Sequence, residues 1–194
     1  MPRPPASRPP LDRAAVIQAA AELVNAAGPE GLTIHALALR LGIRPPSLYN
    51  HVAGLEELWR ELALLNWRQL SEQLTQAAVG RAGPEGILAL AQAYRAYVKA
   101  YPGLYQAGQR PPASRDDPQL AAAAAQVVRP VLAVVESLGL SGADAIHAVR
   151  ALRSAVHGFV SIEIAGGFGL PLDLDESFRR LIEVLIHGIQ GTTG

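Results

Sequence analysis

The 194-residue chain contains no cysteine. Disulfides, thiolate metal sites and a cysteine nucleophile are therefore excluded, and the absence fits a reducing, cytoplasmic setting. Aromatic residues make up only 5% of the chain while alanine is abundant, a balance that favours helices over sheets. No charge of one sign dominates: 17 Lys+Arg stand against 17 Asp+Glu. That argues against a protein that coats nucleic acid by electrostatics alone, yet it leaves room for a local basic face. No uninterrupted apolar run approaches the roughly 18–20 residues of a membrane span. The softest stretch, residues 156–172, holds His157, Glu163 and several glycines. The opening MPRPPASRPP has no apolar segment of the signal-peptide kind and reads as a flexible Pro/Arg tail.

What is present is apolar. About half the residues are hydrophobic, 49%, and a chain this long buries on the order of 70% of its unfolded surface. Disorder from low hydrophobicity is excluded. One domain, or a small one joined to a larger one, is expected.

The pattern is helical throughout. Val16, Ala20, Leu23, Val24 and Ala27 form one stripe, which predicts a helix over 11–27 that Gly28-Pro29 stops. Thr33 is placed to cap a short second helix ending at Gly42. Pro45-Pro46 suit the first turn of a third helix about two turns long. A long fourth helix is predicted over 55–78 and a fifth over 85–100, interrupted at Tyr101-Pro102-Gly103. Residues 108–118 read as a surface loop. An alanine-rich helix over 119–138 contains Pro130, which should kink it. Ser141 to Asp144 has the spacing of a capping box and opens a helix to about residue 165. The last helix runs over 173–190. The fold class is all-α, with about nine helices and no internal repeat.

The first 55 residues carry the most information. Two short helices, 36–42 and 43–52, meet at a glycine-containing turn, which is helix-turn-helix geometry. The second presents Arg44, Ser47, Tyr49, Asn50 and His51, polar groups able to reach base edges and phosphates. The run LGIRPPSLYNHV, a preceding T-x-x-x-L-A helix and an acidic-leucine start to the fourth helix resemble the DNA-binding domain of the tetracycline-repressor (TetR) family. The resemblance implies a phosphate contact for Thr33 and a base or phosphate contact for His35. It implies that Arg44, Pro45, Pro46 and Ser47 lead the recognition helix into the major groove. Tyr49 and His51 match the family's phosphate-gripping Tyr-x-His pair, with Asn50 between them. Leu55 stands where many members have a phosphate-binding lysine. Residues 1–60 carry six arginines against five acids, so Arg3, Arg8 and Arg13 are expected to help grip DNA from an arm.

The last third, with Val156-His157-Gly158, resembles the C-terminal subclass named for a Trp-His-Gly motif, with Val in place of Trp. The resemblance implies a tail at 1–10, a DNA-binding domain at 11–55 and a ligand-binding and dimerisation domain at 56–194. It implies double-stranded operator DNA, a second copy of the chain and a small-molecule effector as partners. Trp67, Tyr94, Tyr97, Tyr101, Tyr105, His157 and Phe159 are the candidate pocket lining, and each suits a packed core as well. No cofactor and no metal is expected. His147 and His157 are roughly 15 Å apart along one helix face and cannot share an ion. An enzyme built on His157 with Glu163 or Ser154 lacks a third orienting group. A dimeric small-molecule-binding module with weak or lost DNA recognition is the other alternative.

Overall fold

The computed structural model describes residues 11–111 and 116–191. Among these residues every regular element is helical. They are α1 Arg13–Ala27, α2 Ile34–Leu41, α3 Pro45–Leu48, α4 Leu55–Ala78, α5 Gly83–Ala100, α6 Pro102–Gln109, α7 Pro118–Glu136, α8 Gly142–Ile164 and α9 Leu174–Gly191, with one 3-10 turn at Pro29–Gly31. The tail over 1–10, with Arg3 and Arg8, lies outside the described residues.

Local chemistry sets the helix ends. Asp12 accepts from the Ala15 amide at 2.7 Å and opens α1. Thr33 does the same for α2, accepting from Ala36 at 3.0 Å, and left-handed Gly42 closes that helix at φ 69°. Pro45 and Pro46 occupy the first turn of α3, where a missing amide costs nothing. Asp117 caps α7 through the amides of Gln119 and Leu120. Ser141 corrects the expected capping box: it sits at the N-cap of α8, but its side chain makes no cap hydrogen bond. α6 is a second departure. Tyr101 to Gly103 is not merely a break, because Pro102 starts a separate helix that uses most of the segment before the loop.

Two apolar clusters form. One joins α1, α2, α3, the first half of α4 and α6, through Val16, Val24, Leu37, Leu48, Leu58, Leu62 and Leu104. The other joins α4, α5, α7, α8 and α9, through Leu70, Leu74, Ile87, Val135, Leu152 and Ile182. α4 belongs to both. Between its two halves lies Asn66, the one fully buried polar residue of the core among those described. Tyr97 donates to its Oδ1 at 3.0 Å, which satisfies the acceptor end of that amide.

α7 is long and apolar enough to cross a membrane by length and composition. It is not an uninterrupted apolar run, because Gln126, Arg129 and Pro130 divide it. In the fold it packs most extensively along α4.

Candidate nucleic-acid interface and ligand cavity

The head is assembled on α2 and α3. Leu37 and Leu48 are fully buried and pin the two helices to α1. This leaves Thr33, His35, Arg44, Pro46, Tyr49 and Asn50 exposed, with Pro45, Ser47 and His51 partly so. The Tyr49 ring is 57% exposed, so it is not a packing residue. Among the described residues, the side chains of His35, Arg44, Ser47, Tyr49, Asn50 and His51 make no hydrogen bond or ion pair within the protein. The Thr33 oxygen serves the cap, and its hydroxyl proton is still free to donate.

Arg13 corrects the expected arm. It is the first residue of α1, and its guanidinium is committed to the protein. It pairs with Glu57 at 2.6 Å and Glu61 at 3.1 Å, and donates to the His51 carbonyl at 2.9 Å. Glu57 also accepts from the Ala53 amide. That backbone bond, and then Arg13, hold the Glu57 carboxyl below the usual carboxylate range. The network ties α1 and the turn after α3 to the start of α4. Leu55 packs against the head core.

The head meets the body at α6. Gly103 lies directly against the backbone of α1 at Val24 and Asn25. The Leu104 amide donates to Asn25 Oδ1 at 2.9 Å. Further along, Gly108 presses on the Asn66 side chain of α4.

The body forms a partly open apolar cavity of about 120 Å³ between α4, α5, α7 and α8. Trp67, Leu70 and Leu74 supply one wall, Leu90 and Tyr94 a second, Val127 and Val131 a third, and Val149, Leu152, Arg153 and Val156 the fourth. Trp67 and Tyr94 are thus at the cavity. Tyr105 and His157 line a neighbouring cleft with Gln106, Gln109 and Ser161. The two spaces are linked by a hydrogen-bond chain: Tyr94 to Tyr105, hydroxyl to hydroxyl, then Tyr105 to His157 Nδ1 at 2.5 Å. Burial raises the pKa of both tyrosines. Burial and then Arg153 push His157 below its ordinary value. A second groove, which shares Trp67 and Ala124 with the cavity, is lined by Trp59, Arg60, Arg110 and Asp117. There Arg110 lies over the Trp59 ring at 4.4 Å, and Arg60 pairs with Asp117 at 2.6 Å.

Three predicted lining residues are elsewhere. Tyr97 is core and bonded to Asn66. Tyr101 is exposed and leans on Tyr97. Phe159 is sandwiched against Phe168 and Phe178 with Arg95 nearby. The His157–Glu163 pair that an enzyme would need is not made: Glu163 binds Arg95 at 2.6 Å and Lys99 at 2.8 Å. Sequence reasoning misses Arg153. Its signal is the α8 stripe Val149, Leu152, Val156 and Val160, which Arg153 borders one turn from Val149.

Known proteins share this architecture. Residues 87–185 match the family model for a tetracyclin repressor-like C-terminal domain. An HTH-type transcriptional regulator of Mycobacterium tuberculosis, Rv0681, is 37% identical over 183 residues, covering 94% of this chain and 84% of its own. The HTH-type regulator YobS of Bacillus subtilis is 32% identical, covering 92% of this chain and 93% of its own. Among solved structures, a TetR protein of Acinetobacter baumannii in complex with minocycline superposes with a TM-score of 0.70 at 24% identity, over 95% of this chain and 99% of that one. The chain belongs to the tetracycline-repressor (TetR) family of transcriptional regulators.

Proposed function

We propose that the chain is a ligand-responsive repressor that binds a palindromic operator as a homodimer in the cytoplasm and is released by a small-molecule effector. In this reading residues 11–55 read DNA, while residues 56–194 hold the effector and pair with a second copy. Thr33, His35, Arg44, Pro45, Pro46, Ser47, Tyr49, Asn50 and His51 face the duplex.

One observation carries the reading. His35 on α2, Arg44 ahead of α3, Ser47 on it, and Tyr49, Asn50 and His51 in the turn after it are exposed or partly so and make no internal side-chain bonds among the described residues, while the apolar faces beneath them are buried. A helix-turn-helix that served only as a corner would have no need to display an unpaired arginine, tyrosine and asparagine together. One such helix reads few base pairs, so specificity calls for two related by a two-fold axis. Exposed Ile146 and Ile162 on α8 and Val184 on α9 supply apolar surface for the pairing. Effector release follows if the cavity closes differently in the two head positions. A difference of roughly 1–3 kcal/mol in effector affinity would couple them.

A second reading is favoured by the start of α4, where Leu55 packs inward and Glu56 and Glu57 occupy the first turn. It makes the chain a dimeric ligand-binding module with weak DNA recognition. Selection from a random palindromic DNA pool, followed by anisotropy titration at two salt concentrations, separates the two. A recovered palindrome with a steep salt dependence supports the repressor. Weak, sequence-blind binding supports the module.

A further inference from the structure

The cavity's lining is chemically one-sided. Its walls are hydrocarbon apart from Trp67, Tyr94 and one charged residue, Arg153, and no carboxylate contributes to it. Among the described residues Arg153 has neither hydrogen bond nor ion pair. Glu163, further along α8, is already held by Arg95 and Lys99. Arg153 lines the same cavity as Tyr94, whose hydroxyl begins the chain through Tyr105 to His157. An amine or quaternary ammonium entering this space would meet a cation and no counter-charge.

The hydroxyl chain adds a directional device. With a proton on His157 Nδ1, donation runs from His157 to Tyr105 to Tyr94, and the Tyr94 O–H is free to donate onward. With Nδ1 bare, donation runs the other way and the Tyr94 proton is used up on Tyr105. A ligand oxygen at Tyr94 that only accepts therefore selects one neutral tautomer of His157. The free volume limits the ligand's body: a buried apolar cavity of roughly 150 Å³ takes up a benzene ring, and this one measures about 120 Å³.

Resting on the reading of this cavity as the effector site, we propose that the effector is a small organic carboxylate. Its short alkyl or single-ring body fills the space between α4, α5, α7 and α8. Its carboxylate is held by the Arg153 guanidinium and the Tyr94 hydroxyl, with Tyr105 and His157 setting the direction of that hydroxyl.

The test is calorimetric titration of the full chain with hexanoate and phenylacetate, each beside its primary amide and the corresponding amine. The carboxylates are expected to bind roughly ten-fold tighter than the amides or better, the worth of hydrogen bonds to a charged group. Arg153→Gln should abolish that preference, bringing carboxylate affinity down to that of the amides, while Arg153→Lys should keep part of it. Arg153 is exposed and makes no bond among the described residues, so both variants are expected to retain the wild-type melting temperature. In ¹⁵N spectra, carboxylate binding should move His157 toward the Nδ1-protonated tautomer, and Tyr105→Phe should remove that response. Amides binding as tightly as carboxylates, amines binding tightest, or a preference that survives Arg153→Gln would overturn the proposal and leave the cavity a site for neutral or cationic ligands. Absence of binding by every probe, together with an operator affinity that none of them moves, would overturn the effector-site reading itself and this proposal with it.

Discussion

A Cβ placed on Gly103 of α6 would lie 1.8 Å from the backbone oxygen of Val24 in α1. No side chain fits between these two helices, and the neighbouring Leu104 amide is held by Asn25 Oδ1 at 2.9 Å. Head and body therefore meet backbone to backbone. Gly103→Ala must push α6 off α1, because the obstacle is main chain and cannot swing aside. We expect a loss of about 1–3 kcal/mol from overpacking, read as a lower melting temperature, together with weaker operator binding as the head loses its seat. An unchanged melting temperature would show that the two helices do not approach this closely.

The junction is also polar at one point. Asn66 is wholly buried, Tyr97 donates to its Oδ1, and its Nδ2 has no partner among the described residues. Gly108 crowds that same amide: a Cβ there would stand only 2.2 Å from Nδ2. Tyr97→Phe would leave the Asn66 side-chain acceptor buried and unpaired as well. The expected cost is about 1–3 kcal/mol, the penalty for orphaning a buried polar group. Denaturant unfolding should show a lower midpoint at unchanged slope.

The glycines explain what is and is not legible in the sequence. Thr33 through its hydroxyl, and Gly42 and Pro45-Pro46 through their own backbone, set the bounds of α2 and the start of α3 by local rules; the end of α3 is not legible, since the helix stops at Leu48 after one turn and not at residue 52 after two. α6 does not. Gly103 and Gly108 look like helix breakers, yet each is the residue that lets α6 approach a neighbour, Val24 in one case and Asn66 in the other. That reason lies in tertiary contact. The cavity is a similar case. Helical spacing puts Tyr94, Tyr97 and Tyr101 on one helix or its end, but which of them meets free space depends on where α4, α7 and α8 pack. Arg13 shows the limit for charge: an arginine close behind a Pro/Arg-rich stretch reads as a DNA contact until Glu57 and Glu61 are placed beside it.

Acid should loosen the tie between α5, α8 and α9. Glu163 is 7% exposed and binds Arg95, which is itself 11% exposed and also reaches Asp175 at 2.7 Å and the Phe178 ring at 4.9 Å. This knot ties α5, α8 and α9 together. The Arg95 guanidinium, and secondarily Lys99, hold the Glu163 carboxyl down from 4.5 to about 2. A depressed carboxylate stabilises the fold fully above its unfolded value and loses that effect as pH falls through the folded one. The contribution is therefore complete above pH 4.5 and lost toward pH 2. Glu163→Gln leaves Asp175 as the carboxylate partner of Arg95 and should cost about 1–3 kcal/mol at neutral pH. It should also flatten the decline in stability over that acid interval. A variant whose acid decline matches the wild type would place the titration elsewhere.

Two substitutions in the reading head separate its expected roles. Arg44 leads α3, is exposed and has no partner among the described residues, so a base contact for it predicts a position-specific effect. Arg44→Ala should cost about 1–3 kcal/mol on the selected palindrome and relax preference at one base pair in each half-site. Tyr49 is exposed with its hydroxyl free and is expected to grip a phosphate. Tyr49→Phe should therefore weaken all sequences alike and leave the preferred palindrome unchanged. A neutral hydroxyl releases no counterion, so the salt dependence should stay where it was, whereas loss of an arginine from a phosphate would lower the slope by about one. If Arg44→Ala lowered the salt slope without altering base preference, Arg44 would be a phosphate clamp, and sequence reading would fall to His35, Ser47 and Asn50.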